Sequence, residues 1–287
     1  MKIRILTDSA CDLAAEDLDK YGIDVMPLYI LEGEKTLRDG IDITPEILYE
    51  NMKKGVYYKT SQIPYNDFFS RFSAIAEAGD ACLCLPFSSG LSGTYQTAVL
   101  ACRDVLEKYP DARIEVIDTK AVTVGLGLIV ERVGKAAIEG ASFDELKTIA
   151  EFYSTHMHGV FTVGDLEYLY RGGRLNKGTA VIGNMLKLKP LLIVDENGEL
   201  KQLEIERGEK KLLKRMLEYI DKTGKDLDKQ VIAVTHAADP ELADKFISLA
   251  SKHYRTDNFR VLPLAAIIGT HTGPGTLGVF YFDAQMA

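Results

Sequence analysis

The sequence predicts a two-domain α/β protein, with a mostly parallel, Rossmann-like sheet in the first domain and a mixed sheet with helices in the second. Three observations carry that expectation. The chain has 287 residues, more than the roughly 100–200 of one ordinary domain. In the first half, short apolar runs alternate with helical patterns, as in parallel sheets built from crossover units. In the second half, Glu196-Asn197-Gly198 separates the apolar runs Leu188–Val194 and Leu200–Glu206. Asn-Gly between apolar runs is a strong hairpin signal, so the second sheet contains an antiparallel pair. The boundary is placed at residues 157/158, giving domains 1–157 and 158–287, on topology alone because no linker composition marks it.

Each element has its own signal. Ile3–Thr7 is a short apolar strand ending in Asp8-Ser9, and the helix from about Leu13 to Tyr21 stops at Gly22. Val25–Leu31 reads as one strand. Thr44 and Pro45 open a helix as N-cap and first helical residue. A further helix covers about Tyr65 to Ala78, and Ala81–Leu85 is a buried strand. The loop Phe87–Gly93 feeds a helix with Tyr95, Ala98, Val99, Cys102, Val105 and Leu106 on one face. Arg113–Ile117 is a strand. Val122–Ile138 is apolar nearly all round, which predicts a central buried helix. Ser142 and Glu145 spell a capping box. Val160–Val163, a short helix Asp165–Tyr170, the hairpin, a helix through Leu212–Ile220, Val231–Thr235, a helix opened by Asp239-Pro240, Arg260–Leu264 and Gly278–Phe282 complete the alternation.

Composition narrows the function. Lys and Arg number 34 against 42 Asp and Glu, a net charge of −8, so no broad positive field exists to neutralise a nucleic-acid backbone. Cys11, Cys82, Cys84 and Cys102 form no C-x-x-C pair. Cys82 and Cys84 sit in an apolar run and read as core. No cluster suggests a metal. No apolar run approaches about 18 residues, and the first residues lack a signal-peptide core. The expectation is a cytoplasmic protein that is not integral to a membrane.

Small polar residues gather where open α/β sheets bind ligands, beyond the carboxyl ends of strands. They are Asp8-Ser9, Ser88-Ser89-Gly90-Leu91-Ser92-Gly93-Thr94 and Asp118-Thr119, and a fourth polar segment, Thr60-Ser61-Gln62, sits before a helix. Glycine-bracketed hydroxyls before a helix offer free N–H and O–H donors to an anion. Ordinary N-capping explains each loop alone; several together point to a site. In the second half, Gly269–Gly275 is a glycine-rich loop presenting His271 between two threonines. That histidine can donate to an anion or move a proton. Gly273–Gly278 spells G-x-G-x-x-G but precedes a strand, so the dinucleotide reading fails on context. Gly90-Leu91-Ser92-Gly93-Thr94 approaches a nucleophile elbow with Thr94 where glycine belongs. The order Ser92, Asp118 or Asp165, then His271 keeps a serine hydrolase, an esterase or thioesterase, as the alternative.

Together these segments resemble the DegV family of bacterial fatty-acid-binding proteins. The matching residues are Thr7-Asp8-Ser9 with Asp12-Leu13, Thr60-Ser61-Gln62, Ser88–Tyr95, Ile117-Asp118-Thr119, Gly172-Gly173-Arg174, Ile182-Gly183-Asn184 with Lys187-Leu188-Lys189-Pro190, and His271–Gly275. They run in family order along essentially the whole chain. The resemblance implies one long-chain fatty acid between the two domains. Its carboxylate would lie on Thr60 and Ser92, with Ser61 adding a donor and His271 completing the grip, and its chain in an apolar tunnel of the second domain. It implies no cofactor and no catalysis by the chain itself; a separate ATP-dependent fatty acid kinase would act on the presented acid. Arg174 would lie near the domain junction and Arg207 would touch the kinase. Two departures stand out: Ile63 replaces a proline, and Gly208 follows Arg207 where a polar residue is usual.

Overall fold

The computed structural model describes residues 2–175 and 188–286. The motif residues Ile182, Gly183, Asn184 and Lys187 lie outside them. In chain order the first elements are β1 (Ile3–Asp8), a 3-10 turn at Ser9–Cys11, α1 (Ala15–Tyr21), β2 (Ile23–Met26), β3 (Tyr29–Glu32) and β4 (Lys35–Arg38). Then come α2 (Pro45–Lys53), β5 (Lys59–Ser61), α3 (Tyr65–Glu77), β6 (Ala81–Leu85), α4 (Thr94–Lys108) and β7 (Ile114–Val116). The middle of the chain forms α5 (Thr123–Ile138), α6 (Phe143–His156), β8 (Met157–Thr162), α7 (Glu167–Arg171), β9 (Leu188–Val194) and β10 (Leu200–Arg207). The last elements are α8 (Glu209–Thr223), β11 (Ile232–His236), α9 (Pro240–Tyr254), β12 (Phe259–Pro263), α10 (Ala266–Thr272) and β13 (Leu277–Phe282).

Two main sheets result. The first has the order β2-β1-β6-β7, parallel throughout. The chain turns from one side of β1 to the other, so β1 and β6 flank a topological switch point, where such sheets bind ligands. The second has the order β10-β9-β8-β13-β11-β12 and is mixed, with only β11 and β12 parallel. The expected α/β class with one parallel and one mixed sheet is therefore present. Between the sheets lies α5, buried at every residue from Thr123 to Val130; it packs on β1 from one side and on β8, β11 and β13 from the other. A helix apolar all round needs such a position.

Local signals explain most boundaries. Gly22 ends α1 at φ +61°. The Ser142 hydroxyl and Glu145 carboxylate close a capping box at α6, and the Asp239 carboxylate accepts from Leu242 N ahead of α9. The hairpin forms as expected, with Asp195 accepting from Asn197 N and Glu199 N at 2.9 and 3.0 Å. The cysteines are all buried and unpaired.

Two expectations need correction. Val25–Leu31 is not one strand. The chain leaves the parallel sheet at Pro27, which has no N–H for a ladder, and Leu28 N donates instead to Ser9 Oγ at 3.1 Å. The remainder, β3, joins a small antiparallel sheet ordered β4-β3-β5, which the sequence did not announce. Thr60 thus lies on a strand. His271 lies in the last turn of α10 rather than in a loop; Thr270 and Thr272 donate their hydroxyls to carbonyls four residues back, and Gly273 ends the helix at φ +71°.

Candidate functional site

The site starts from β5. Thr60 faces Ile30 across the β3–β5 ladder, and cross-strand partners share a face. Ile30 is buried, so Thr60 points inward, while Ser61 is exposed at the rim. Ser61 Oγ reaches only the neighbouring Gln62 carbonyl, at 3.4 Å. Gln62 bridges to the first turn of α4, with Nε2 donating to Thr97 Oγ1 at 2.7 Å.

The second loop follows β6. Its four hydroxyls divide into two pairs. Ser88 donates to Gly198 O at 2.8 Å and so ties the β9–β10 hairpin tip to this loop. Ser89 donates to Asp118 Oδ2 at 2.5 Å. Both are occupied in holding the loop. Ser92 Oγ and Thr94 Oγ1 are 2.8 Å apart, and Ser92 Oγ also accepts from Thr94 N at 3.2 Å. Ser92 therefore holds the first residue of α4 and lines the cavity at once.

The third part is α10. Although β12 and β13 flank it in sequence, its start is fixed by the first half of the chain. Ala265 N donates to Asp12 Oδ1 and Ile267 N to Asp39 Oδ1, both at 3.2 Å. Tyr49 Oη donates to Leu264 O at 3.2 Å. Burial raises the pKa of Asp39 to about 6 against hydrogen bonds from Ser9, Ile267 and Gly40 that lower it. Burial also raises Asp12 well above the usual carboxylate range. Asp8 ties the ends of β1 and β6 by accepting from Phe87 N at 2.7 Å, and burial raises its pKa to about 7.

At the far end of α10, His271 Nε2 meets Thr60 Oγ1 at 2.6 Å. The ring fits because residue 172 is glycine: a Cβ there would lie 2.1 Å from His271 Nδ1. Nδ1 has no partner among the described residues. Burial, with Arg174 nearby, lowers the His271 pKa to about 3, so the imidazole is neutral at pH 7. Arg174 donates to Leu91 O at 3.1 Å and Gly172 O at 2.6 Å, and burial lowers its pKa. Its guanidinium supplies positive potential to the cavity.

These groups crown a cavity of about 500 Å³. Thr60, Ser61, Ser92, His271 and Arg174 all line it. Arg207 does not; it is exposed at the end of β10. The walls are otherwise mostly apolar and come from both halves: Leu28, Phe87, Leu91 and Val122 from the first, and Phe161, Leu200, Leu264, Ile267 and Phe280 from the second. No contiguous motif marks these wall residues, and the supporting roles of Asp12 and Asp39 were equally hidden. Asp12 stands in a matched motif, the one available hint.

The hydrolase constellation is not assembled. Ser92 bonds Thr94 and His271 bonds Thr60, with no Ser92–His271 hydrogen bond. Asp118 holds Ser89 and Lys120 N, and Asp165 accepts from Glu167 N. A nucleophile, base and orienting acid need mutual hydrogen bonds.

Fold and site define a class: an α/β protein of two sheets with a mostly apolar cavity whose polar end carries hydroxyls, a neutral imidazole and an arginine. Residues 2–284 match the family model described as "Uncharacterised protein, DegV family". A DegV domain-containing protein of Caldanaerobacter subterraneus is 35% identical over 282 residues, 98% of each chain. The chain belongs to the DegV family. Among solved structures, a fatty-acid-binding DegV family protein of Thermus thermophilus superposes with a TM-score of 0.88 at 30% identity, covering 99% of this chain and all of that one. A stearic-acid-binding protein of Eubacterium ventriosum gives a TM-score of 0.86 at 30% identity over 98% of both chains. Among the described residues, no helix is long and apolar enough to cross a membrane, and no cluster of metal-binding side chains occurs.

Proposed function

We propose that this chain binds one long-chain fatty acid between its two domains, 1–157 and 158–287, and presents it to a separate ATP-dependent fatty acid kinase. The observation that carries this reading is the Thr60–His271 hydrogen bond at the polar end of an otherwise apolar cavity. With His271 Nε2 donating to Thr60 Oγ1, the Thr60 hydroxyl is free to donate to a carboxylate entering there, beside Ser61 and Ser92, and His271 completes the grip through Thr60. Several donors are needed, because an unpaired buried charge is very costly. Arg174 adds charge compensation, its Nε and Nη1 already donating to Leu91 O and Gly172 O. The acyl chain contributes most of the affinity, about 0.8 kcal/mol for each buried CH₂. Two relatives of 30% identity described as fatty-acid and stearic-acid binders support the choice of ligand.

The chain works as a carrier in the cytoplasm, and the kinase supplies the chemistry. Arg207, exposed and away from the cavity, is its contact with that kinase, and Arg174 lies at the domain junction. The test is solvent extraction of the purified protein, with released lipid identified by mass spectrometry. Near-stoichiometric fatty acid is expected. Its absence, even after incubation with a mixed fatty-acid pool, would reject the carrier reading.

A further inference from the structure

We propose that Phe280 forms the closed end of the cavity and sets the length of the acyl chain that fits. The inference rests on the fatty-acid reading above. Thr276 adjoins the head-group helix, donating its hydroxyl to Gly273 O at 2.9 Å. From there β13 runs inward, and Thr276, Gly278 and Phe280 all line the cavity. Phe280 is four residues beyond Thr276, about 13 Å at the rise of a strand. It belongs to the wall, only 2% exposed.

The ring lies against three glycines from three elements. A Cβ on Gly125 of α5 would come 2.7 Å from Phe280 Cδ1. On Gly159 of β8 it would come 2.5 Å from Cε1, and on Gly278 of β13, 3.0 Å from Cε2. Gly159 and Ala233 are its ladder partners on either side. The ring thus fills space that bare backbone leaves on the sheet and on the central helix. Backbone does not yield as a side chain does, so the ring is a fixed wall. Gly278 itself faces the cavity, and a methyl there would take space from the ligand and press on the ring, with Thr235 Cγ2 at 3.1 Å leaving it no other room.

Chain length follows directly. Each methylene that finds room tightens binding about fourfold, the equivalent of about 0.8 kcal/mol. The gain stops when the terminal methyl reaches the ring. Phe280→Leu moves that stop to longer chains, and Gly278→Ala moves it to shorter ones.

The experiment titrates the delipidated full-length protein and both variants with saturated fatty acids from decanoate to docosanoate. Melting temperatures establish that each variant is folded. The expected result is a wild-type ladder of affinities that breaks at one length, with a later break in Phe280→Leu and an earlier break in Gly278→Ala. Breaks at the wild-type length in the folded variants would overturn the role of Phe280 while leaving fatty-acid binding intact. If Phe280→Leu does not fold, an unchanged break in Gly278→Ala alone overturns it. Failure of the wild type to bind any member of the series would instead sink the fatty-acid reading.

Discussion

Thr60 Oγ1 and His271 Nε2 stand 2.6 Å apart across 211 residues of sequence. A three-residue strand in the first half and a short helix near the end of the chain thereby form one donor surface. Removing either partner breaks it. Thr60→Val and His271→Gln should each weaken fatty-acid binding about tenfold, in line with a hydrogen bond to a charged group, while leaving chain-length preference unchanged. Isothermal titration with a graded fatty-acid series checks both parts.

On the proposed function, Ser92 should separate retention from presentation, because its hydroxyl is one of several at the polar end of the cavity and the apolar walls would hold the acyl chain. Ser92→Ala should retain most of its copurifying lipid yet support slower acyl-phosphate formation by a fatty acid kinase. Complete loss of bound lipid in that variant would count against the division.

The neutral His271 has a pH signature. Its folded pKa of about 3 lies below the unfolded value of 6.5 because of burial and then Arg174. The unfolded chain therefore binds the extra proton between those values, so stability associated with this residue is present above pH 6.5 and is lost as pH falls toward 3. Relative to His271→Gln, the ligand-free wild type should lose about 1–2 kcal/mol between pH 7 and pH 5. Urea denaturation at several pH values measures it.

Asp39 works in the opposite direction. Burial raises its folded carboxyl to about 6 from 3.8, so the folded state holds the proton more tightly. Its contribution is full below pH 3.8 and is lost as pH rises through 6. Asp39→Asn keeps an acceptor for Ile267 N and removes the ionisation. The variant should be flatter with pH between 4 and 7 and more stable than the wild type at pH 8, by roughly 3 kcal/mol at most. Asp39→Ala also removes the ionisation but leaves a buried N–H without a partner, so at every pH it should be about 1–3 kcal/mol less stable than Asp39→Asn.

On the same reading, Arg174, which lines the cavity, should give it a preference for a charged head group. Arg174→Gln should bind a fatty acid and its methyl ester with more nearly equal affinity, whereas the wild type should prefer the acid. Competition with a fluorescent fatty acid compares the two. Equal preference in the wild type would remove Arg174 from the account of the head group.

Much of the fold was legible because its signals are local. Asn197-Gly198 fixes the hairpin, Ser142 and Glu145 fix the start of α6, and the unbroken apolar run from Thr123 places α5 between two sheets. The small sheet was not legible, since β4 is largely exposed and lacks apolar alternation. Pro27 hides inside an apolar run, and its effect on the ladder depends on Ser9. The helix around His271 was masked by glycines and threonines, whose hydroxyls turn back onto its own carbonyls. Of the candidate site, the hydroxyl segments and His271 that line the cavity could be picked out because small polar residues cluster in short stretches of sequence. The apolar wall could not, because Leu28, Val122, Phe161 and Phe280 meet only in three dimensions.

The most direct measurement of the central claim is carbon-13 NMR of a carboxyl-labelled fatty acid bound to the protein. The bound acid should give one carboxyl resonance, distinct from free fatty acid, that shifts in Thr60→Val and in His271→Gln. A bound resonance that moves in neither variant would place the carboxylate elsewhere and contradict the account.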